Sequence, residues 1–244
     1  MRVAPEKMPF TVTLRTPGED RKLALGLLFA EELVEGMEDI ASIQAEPPAG
    51  GAQIWSVKLK KPVATEKLSN RSLASTSSCG LCGKTQWEPP AVSVKPAALI
   101  GEFAVTSLPR CFQEMHARQE LFGRTGGCHA AAVFSREGRM LAFGEDVGRH
   151  NAVDKTVGEL LEQGNISEAY LLCVSGRVSF EIGSKAARAG FSVLAAVSAP
   201  SSLAIEYCRE AGITLLGFCR GQRATAYTHA ERLIISPAME LKHV

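Results

Sequence analysis

Cys79 and Cys82, in the stretch SSCGLCGK, are three residues apart and are the most specific chemical feature of this chain. Such a C-x-x-C pair is compatible with half of a zinc site, with a redox disulfide, or with a thiolate that carries sulfur as a persulfide. Serine, glycine, proline and asparagine are frequent from Ser69 to Pro90, a composition that favours a loop. The pair alone does not distinguish the three chemistries.

Other features of the sequence favour one of these three chemistries over the others. A closed zinc site needs two more ligands, but there is no second C-x-x-C and the five histidines are scattered. A thioredoxin-like couple would begin a helix after a strand, whereas this pair contains Gly80 and is followed by Gly83. A persulfide carrier needs an exposed thiolate on a segment that reaches two partners. The glycine-rich segment favours this third role.

Composition indicates a globular protein of the cytoplasm. The 244 residues are 45% hydrophobic with a formal net charge of +1, which predicts a sizeable core and no basic face for nucleic acid. No apolar run approaches the roughly 18 residues of a membrane span, and the first ten residues lack a signal-peptide core. An odd cysteine count argues against a secreted disulfide framework. We therefore expect neither a membrane nor nucleic acid as a partner.

The elements that must position the cysteines fall into two predicted domains. Residues 1–106 form a smaller α+β region, with a helix from Arg21 that Gly36 stops, a strand over 54–60 and then the C-x-x-C loop. Residues 107–244 begin with a helix over 107–123 capped by Ser107, and apolar strands then alternate with helices. This alternation predicts an α/β domain with a largely parallel sheet covered on both faces. The predicted strands are 130–135, 140–147, 169–175, 192–199 and 213–219, and the predicted helices are 150–164 (capped by Asn151), 179–190 and 201–212.

Polar loops follow the predicted strands, where open α/β sheets bind ligands. The loops are EDVGRHN, SGR, SAPSS and CRGQR, and the arginines and helix starts in them suit a phosphate group. Arg177, Arg220 and Arg223 would lie on one rim. The polar cluster 145–150 and the turn at 126–129 are also candidates, although capping and a partly buried structural histidine explain part of them.

In their order, these motifs resemble the formate dehydrogenase accessory sulfurtransferase family, FdhD. RTPGEDRKLALGLLFAEELVEG, SSCGLCGK, TGGCHAAAVF, EDVGRHNAVDK, SGRVSFEIGSKAARAG and SAPSSLAIEYCREAGITLLGFCRGQR follow one another along most of the chain. The resemblance implies a cytidine-deaminase-like three-layer α/β/α fold and a homodimer. It also implies that a cysteine desulfurase loads sulfur onto Cys79. The persulfide then passes to molybdenum or tungsten in the bis(molybdopterin guanine dinucleotide) cofactor, for the formate dehydrogenase catalytic subunit.

The predicted site combines this resemblance with the loop positions. Cys79 is the expected sulfur carrier, and Cys82 either assists or resolves the persulfide as a disulfide. The cofactor is a guest and no permanent metal is expected. Cys128, where the family pattern has a bulkier apolar residue, is a third candidate thiol. The expected cofactor-binding residues are Gly126, Gly127, His129, Arg149, His150, Ser175, Arg177, Phe218, Cys219, Arg220, Gly221, Gln222 and Arg223.

Two other functions can be weighed against the sequence. A deaminase of the related fold needs His-x-Glu and Pro-Cys-x-x-Cys, but Ala130 and Ala131 follow His129, and Ser78 precedes the C-x-x-C. This excludes deaminase chemistry. A non-catalytic chaperone that binds the molybdenum cofactor, with a structural C-x-x-C, stays open as the alternative function.

Overall fold

The computed structural model describes residues 1–4, 8–62 and 102–243. Cys79 and Cys82 lie outside these ranges. None of the helices in the described part of the chain is long and apolar enough to cross a membrane. The helices are α1 (Asp20–Ala30), α2 (Leu108–Ala117), α3 (Glu120–Thr125), α4 (Arg149–Gln163), α5 (Phe180–Arg188) and α6 (Ser202–Glu210). The strands are β1 (Arg2–Ala4), β2 (Met8–Pro9), β3 (Ile40–Ala49), β4 (Ala52–Leu59), β5 (Phe103–Ala104), β6 (His129–Phe134), β7 (Met140–Asp146), β8 (Leu171–Val174), β9 (Val193–Ala196), β10 (Thr214–Arg220), β11 (Arg223–Ala226), β12 (Leu233–Ile234) and β13 (Glu240–His243).

A seven-stranded sheet in the order β13-β11-β10-β9-β8-β6-β7 forms the centre of the fold. The buried strands β8, β9 and β10 are parallel, with Leu172 opposite Leu194 and Leu215 opposite the same residue. The helical crossovers between them impose this direction. On one side β6 is antiparallel to both β7 and β8. On the other side β11 is antiparallel to β10 and parallel to β13, an extension that the sequence patterns did not predict.

Alternate side chains of each central strand enter two different cores. Ala131 and Val133 of β6 pack into the core that contains the apolar faces of α4, α5 and α6. Ala130 and Ala132 point to the opposite face and pack with Leu108 and the rest of the α2 face. Because helices cover both faces of the sheet, the predicted mixed α/β fold with three layers is confirmed.

The N-terminal elements attach to this centre through a close contact between two helices. Strands β2, β1, β4 and β3 form a separate four-stranded sheet, whose Val57 shares one core with α1 and α4. Gly26 of α1 lies against the backbone of Asp154, and Gly158 of α4 lies against the backbone of Lys22. Residues on both sides of the predicted boundary at 106/107 thus contribute to one core, and the boundary itself stays a prediction.

Two predicted helices end or divide earlier than expected. Helix α1 ends at Ala30 rather than near Gly36, because Glu32 adopts a left-handed conformation with a φ of 57° and the chain turns inward. The turn buries Leu33 and Val34, which the helical pattern had assigned to a continuing helix. Tertiary burial therefore overrides helical propensity here.

The predicted helix over 107–123 is two helices, with a break at Arg118 and Gln119. The Ser107 hydroxyl donates to the carbonyl of Ala104 and does not cap α2, so that predicted cap is wrong. The predicted cap Asn151 is likewise wrong, since α4 begins at Arg149 after the cap position Gly148.

The outer edge of β7 has its backbone groups occupied by side chains. The Phe143 amide donates to the Glu159 carboxylate over 3.0 Å, and the Val147 amide just beyond the strand donates to the Thr16 hydroxyl over 2.9 Å. The Glu145 carbonyl accepts from Lys155 over 3.0 Å. Helix α4 and the segment around Thr16 therefore cover this side of the sheet.

We expect Gly26→Ala to lower the free energy of unfolding by about 3 kcal/mol or more, because a Cβ at this position would lie 1.9 Å from the Asp154 carbonyl oxygen. Urea unfolding followed by circular dichroism measures the change. The matched control is Gly123→Ala in α3, where a Cβ meets no atom within 4 Å. This control should be neutral or gain up to about 1 kcal/mol. Equal effects of the two substitutions would contradict the close helix contact.

Candidate functional site

The polar loops predicted to bind a ligand meet at one edge of the central sheet. This edge contains the carboxyl ends of β7, β8, β9 and β10, and also the start of β6, which runs in the opposite direction to β8. The hydroxyl of Ser175, directly after β8, accepts from the Ala130 amide over 2.9 Å, and the Ser175 amide donates to the Ala130 carbonyl over 3.0 Å. His129 at the start of β6 therefore lies beside the loop after β8. Topology thus places a binding edge where an open α/β sheet is expected to have one.

A cavity of about 760 Å³ opens at this edge, between the sheet and helix α2. Its α2 wall is largely apolar, with Leu108, Phe112 and Met115, and Phe122 of α3 continues it. The volume is in the range of small-molecule and cofactor sites. The remaining lining residues are Pro109, Gln113, His116, Gln119, Gly126, Gly127, Cys128, His129, Ser175, Val197, Cys219, Arg220 and Gly221.

More than half of the predicted cofactor-binding residues line this cavity, and the others lie outside its lining. Arg149 and His129 both lie beside Gly176, Arg177 is the next residue of that loop, and His150 follows Arg149 in α4. Phe218, Gln222 and Arg223 belong to the exposed end of the β10–β11 hairpin. The predicted residues in the lining are Gly126, Gly127, His129, Ser175, Cys219, Arg220 and Gly221.

Irregular backbone at the end of β10 shapes one lip of the cavity. The pairing of β10 with β11 shifts between Gly217 and Arg220, and Phe218 adopts a left-handed conformation with a φ of 51°. Its amide donates to the Ser198 carbonyl over 3.2 Å, and its ring is 43% exposed. The Arg220 Nε donates to the Val197 carbonyl over 3.2 Å. The bulge thus joins Arg220 to the loop after β9.

Not every arginine of the FCRGQR stretch faces the cavity. Arg223 is exposed, and its Nε lies 3.1 Å from the Glu240 carboxylate across the β11–β13 pair. Gln222 is exposed in the turn between β10 and β11. The structure therefore separates Arg220, on the cavity, from Arg223, on the outer strands.

His129 lies at the positively charged end of the cavity. Burial lowers the pKa of its imidazole, and the guanidinium groups of Arg149 and Arg177 lower it further. A Cβ at Gly176 would lie 3.2 Å from the His129 Nδ1 and 3.4 Å from the Arg149 Cβ, so only glycine fits between them without displacement. A neutral imidazole beside two guanidinium groups favours an anionic ligand.

A buried ion pair fixes the beginning of α4 at this edge. Asp146 is fully buried, and its carboxylate lies 2.8 Å from the Lys155 ammonium. The same carboxylate accepts from the amides of Thr16 and Gly148 over 3.0 and 2.9 Å and from the Asn151 side chain over 2.9 Å. These contacts use the carboxylate inside the protein. Asp146 therefore holds the loops in place and does not face the cavity.

Glu145 has the same role for helix α3. Its carboxylate accepts from the amides of Leu121 and Phe122 over 3.0 and 2.6 Å, at the start of α3. A negative charge at a helix N-terminus is stabilising because it opposes the partial positive charge of the free amides. The sequence suggested a ligand-facing role for the acidic part of the 145–150 cluster, and the structure gives it a scaffolding role instead.

Four of the five cysteines in the described part of the chain are buried. Burial raises the pKa of the Cys111 thiol to about 11 and the pKa of the Cys208 and Cys219 thiols to about 12, and it raises the pKa of Cys173 as well. Cys128 is partly exposed and lines the cavity, with its Sγ 3.9 Å from the Thr16 Oγ1. Within the described ranges no three His, Cys, Asp or Glu side chains are grouped as metal ligands.

The apolar wall of the cavity was not predicted as part of the site. Leu108, Phe112 and Met115 recur at the spacing of one helix face, and this pattern was available in the sequence. A helix face that packs on a sheet and one that lines a cavity have the same pattern, because both exclude water. Periodicity therefore found the helix but not the cavity beneath it.

The model of the FdhD/NarQ family matches residues 1–234. The chain belongs to this family. A FdhD relative from Sulfurisphaera tokodaii is 40% identical over 226 residues, which cover 92% of this chain and 84% of that protein. A FdhD relative from Mycolicibacterium paratuberculosis is 44% identical over 232 residues, with coverage of 91% and 85%. Both are named "Sulfur carrier protein FdhD".

A solved structure supports the FdhD fold independently. The crystal structure of a protein from Desulfotalea psychrophila, provisionally assigned as a formate dehydrogenase accessory protein, has a TM-score of 0.69 to this chain. The match covers 91% of this chain and 83% of that chain at 22% sequence identity. At this identity the likeness concerns the fold alone. The FdhD resemblance predicted from the motifs is confirmed.

We expect Cys128 to react with iodoacetamide in the native protein, while the four buried thiols stay protected. Burial both blocks access and keeps these thiols protonated at neutral pH, and the thiolate is the nucleophile. Peptide mapping by mass spectrometry after brief alkylation at pH 7.5 measures each site. Alkylation of Cys219 as fast as Cys128 would contradict the closed environment of Cys219.

We expect the protein to lose stability through His150 as the pH falls from 6.5 toward 4. Burial lowers the pKa of His150 to about 4 in the folded chain, from an ordinary value of 6.5, so the unfolded chain binds the proton first. The difference corresponds to about 3 kcal/mol, which is present above pH 6.5 and lost as the pH approaches 4. Urea unfolding from pH 4.5 to 7.5 measures it.

The control for this pH dependence is His150→Gln, which has no titrating ring at this position. The wild type should lose its stability advantage over the variant as the pH falls. If the difference in free energy of unfolding between the wild type and His150→Gln stays constant over the whole pH range, His150 is not held in its neutral form.

Proposed function

We propose that this FdhD/NarQ family protein is a sulfurtransferase, which carries sulfur as a persulfide on Cys79 from a cysteine desulfurase to the bis(molybdopterin guanine dinucleotide) cofactor of formate dehydrogenase. Relatives named sulfur carriers match more than 90% of the chain and support the carrier role. The observation that carries the cofactor part is the cavity, where most of the predicted cofactor-binding residues meet. A cytoplasmic location and a homodimer are parts of the same proposal.

The cavity suits the guanine nucleotide end of this substrate. Its apolar α2 wall offers a surface for a flat ring system, as in most ligand sites. Arg220 supplies a guanidinium for phosphate, and no carboxylate is among the described residues of the lining. Gly126 lines the cavity with a φ of 65°, and a Cβ there would meet nothing within 4 Å, so the space beside this turn is open. These features support a ligand with both aromatic and anionic parts.

The sulfur chemistry proceeds in two balanced steps. The Cys79 thiolate attacks the terminal sulfur of the donor's cysteine persulfide, the donor's S–S bond breaks, and the donor thiolate leaves. The new Cys79 persulfide then gives up its terminal sulfur atom to a reduced, four-valent metal. Two electrons pass from the metal to this sulfur, which becomes a sulfido ligand on the six-valent metal, and the Cys79 thiolate is regenerated. Cys82 either assists the attack or resolves the persulfide.

We expect Cys79→Ala to abolish maturation of formate dehydrogenase, by at least about 100-fold in enzyme activity, because it removes the thiol that carries the persulfide in this proposal. Cofactor binding should be unchanged. Mass spectrometry of the wild type after incubation with a desulfurase and cysteine should show a gain of about 32 mass units on the Cys79 peptide, the mass of one sulfur atom. The control is Cys128→Ala, which removes a thiol of the cavity wall and should leave maturation of formate dehydrogenase unchanged.

Three results would contradict parts of this proposal. Full maturation with Cys79→Ala would favour the chaperone that delivers the cofactor without sulfur chemistry. A sulfur adduct on Cys128 alone would transfer the carrier role to the cavity. Zinc bound by Cys79 and Cys82, detected by elemental analysis, would support the structural-metal alternative.

A further inference from the structure

The segment 175–179, between β8 and α5, is fixed at several points beside the cavity. Ser175 exchanges hydrogen bonds with Ala130 at the start of β6. The Val178 amide donates to the Ala199 carbonyl over 3.2 Å, and the Val178 carbonyl accepts from the Ser201 amide over 2.9 Å. The loops after β8 and β9 therefore form one connected rim.

Arg177 alone is exposed within this segment, since Gly176, Val178 and Ser179 are buried and Ser175 is half-buried. Its guanidinium reaches far enough to lower the pKa of His129, which lines the cavity. The backbone position from which the Arg177 side chain extends therefore depends on how firmly its buried neighbours are held.

His150 holds the far end of the segment. Its Nε2 lies 2.9 Å from the Ser179 Oγ, and its Nδ1 lies 3.7 Å from the Glu181 carboxylate. The Ser179 Oγ accepts from the Ile182 amide as the cap of α5, so its hydroxyl proton is free to point at the Nε2. Both ring nitrogens have suitable partners when the imidazole is neutral: the Nε2 accepts from the Ser179 hydroxyl, and the Nδ1 carries the proton that faces Glu181.

His150 does not line the cavity, and its surroundings maintain this neutral form. Burial lowers the pKa of its imidazole, and Arg149 of the same helix, Lys185 of α5 and His129 of β6 lower it further, while Glu181 of α5 raises it. A charged imidazole would have no lone pair for the Ser179 hydroxyl. The sequence grouped His150 with the ligand contacts, but its partners belong to the scaffold.

We propose that His150 is a positioning residue, which locks the segment 175–179 through Ser179 and so presents the Arg177 guanidinium to the anionic part of the ligand. This inference rests on the proposed function, because the ligand is the guanine nucleotide end of the cofactor. It assigns His150 an indirect role, through Arg177, in place of a direct contact.

A double-mutant cycle with GDP as the probe tests the inference. Calorimetry at 10 °C should show GDP binding to the wild type, with about tenfold weaker affinity for His150→Phe, the effect of one lost neutral hydrogen bond. Arg177→Ala should weaken binding about 30-fold, as expected for a charged donor. In the Arg177→Ala background, His150→Phe should have no further effect, because the two residues act in series.

Two controls separate positioning from a general loss of stability. His150→Gln keeps an acceptor for Ser179, and its affinity should stay within about threefold of the wild type. His229→Phe, at a histidine bonded to Arg209 and Glu231 away from the cavity, should lower the melting temperature without changing the affinity.

The outcomes are distinguishable. Additive losses in the double variant, or unchanged GDP affinity in His150→Phe despite a lower melting temperature, would overturn the positioning role. No effect of Arg177→Ala on a wild type that binds GDP would overturn it too. If the wild type does not bind GDP, the nucleotide part of the proposed function fails, and the inference falls with it.

Discussion

The buried ion pair between Asp146 and Lys155 is the interaction on which the candidate site depends. Both side chains are almost fully removed from water, and each satisfies further backbone groups, including the amide and the carbonyl of Thr16. Charges buried in this way are tolerated because they are paired and hydrogen-bonded, and removal of one partner typically costs about 3 to 5 kcal/mol. The pair ties the end of β7, the start of α4 and the N-terminal segment to one another.

The site follows from this fixed point. With α4 held at its first turn, Arg149 and His150 take defined places beside the start of β6 and the loop after β8. The glycine at 176 allows the loop to approach His129, and the bulge in β10 adds Arg220 from the other side. Positive charge and an apolar wall thus meet across a cavity, although they come from distant parts of the sequence.

Much of this arrangement could be predicted from the sequence, and the remainder has identifiable physical causes. Continuous apolar runs predicted β8, β9 and β10, and Ser175 and Arg220 lie at the carboxyl ends of β8 and β10, because the edge of a parallel sheet is set by strand direction. The ligand-facing role predicted for Glu145 and Asp146 was wrong, because the sequence does not show whether a carboxylate faces a ligand or accepts from a backbone amide. The end of α1 was missed because burial of Leu33 decides it. The pair at Cys79 and Cys82 lies outside the described residues, so its role rests on spacing and on resemblance.

The covering of β7 by side chains limits how this protein can associate. Exposed strand edges are the usual route by which two sheets join through their backbones. Here Glu159 and Lys155 occupy one amide and one carbonyl of β7, and Thr16 occupies the Val147 amide just beyond it, so a second strand that paired there would have to displace all three. Backbone pairing of β7 with a strand from another chain is therefore disfavoured on this flank.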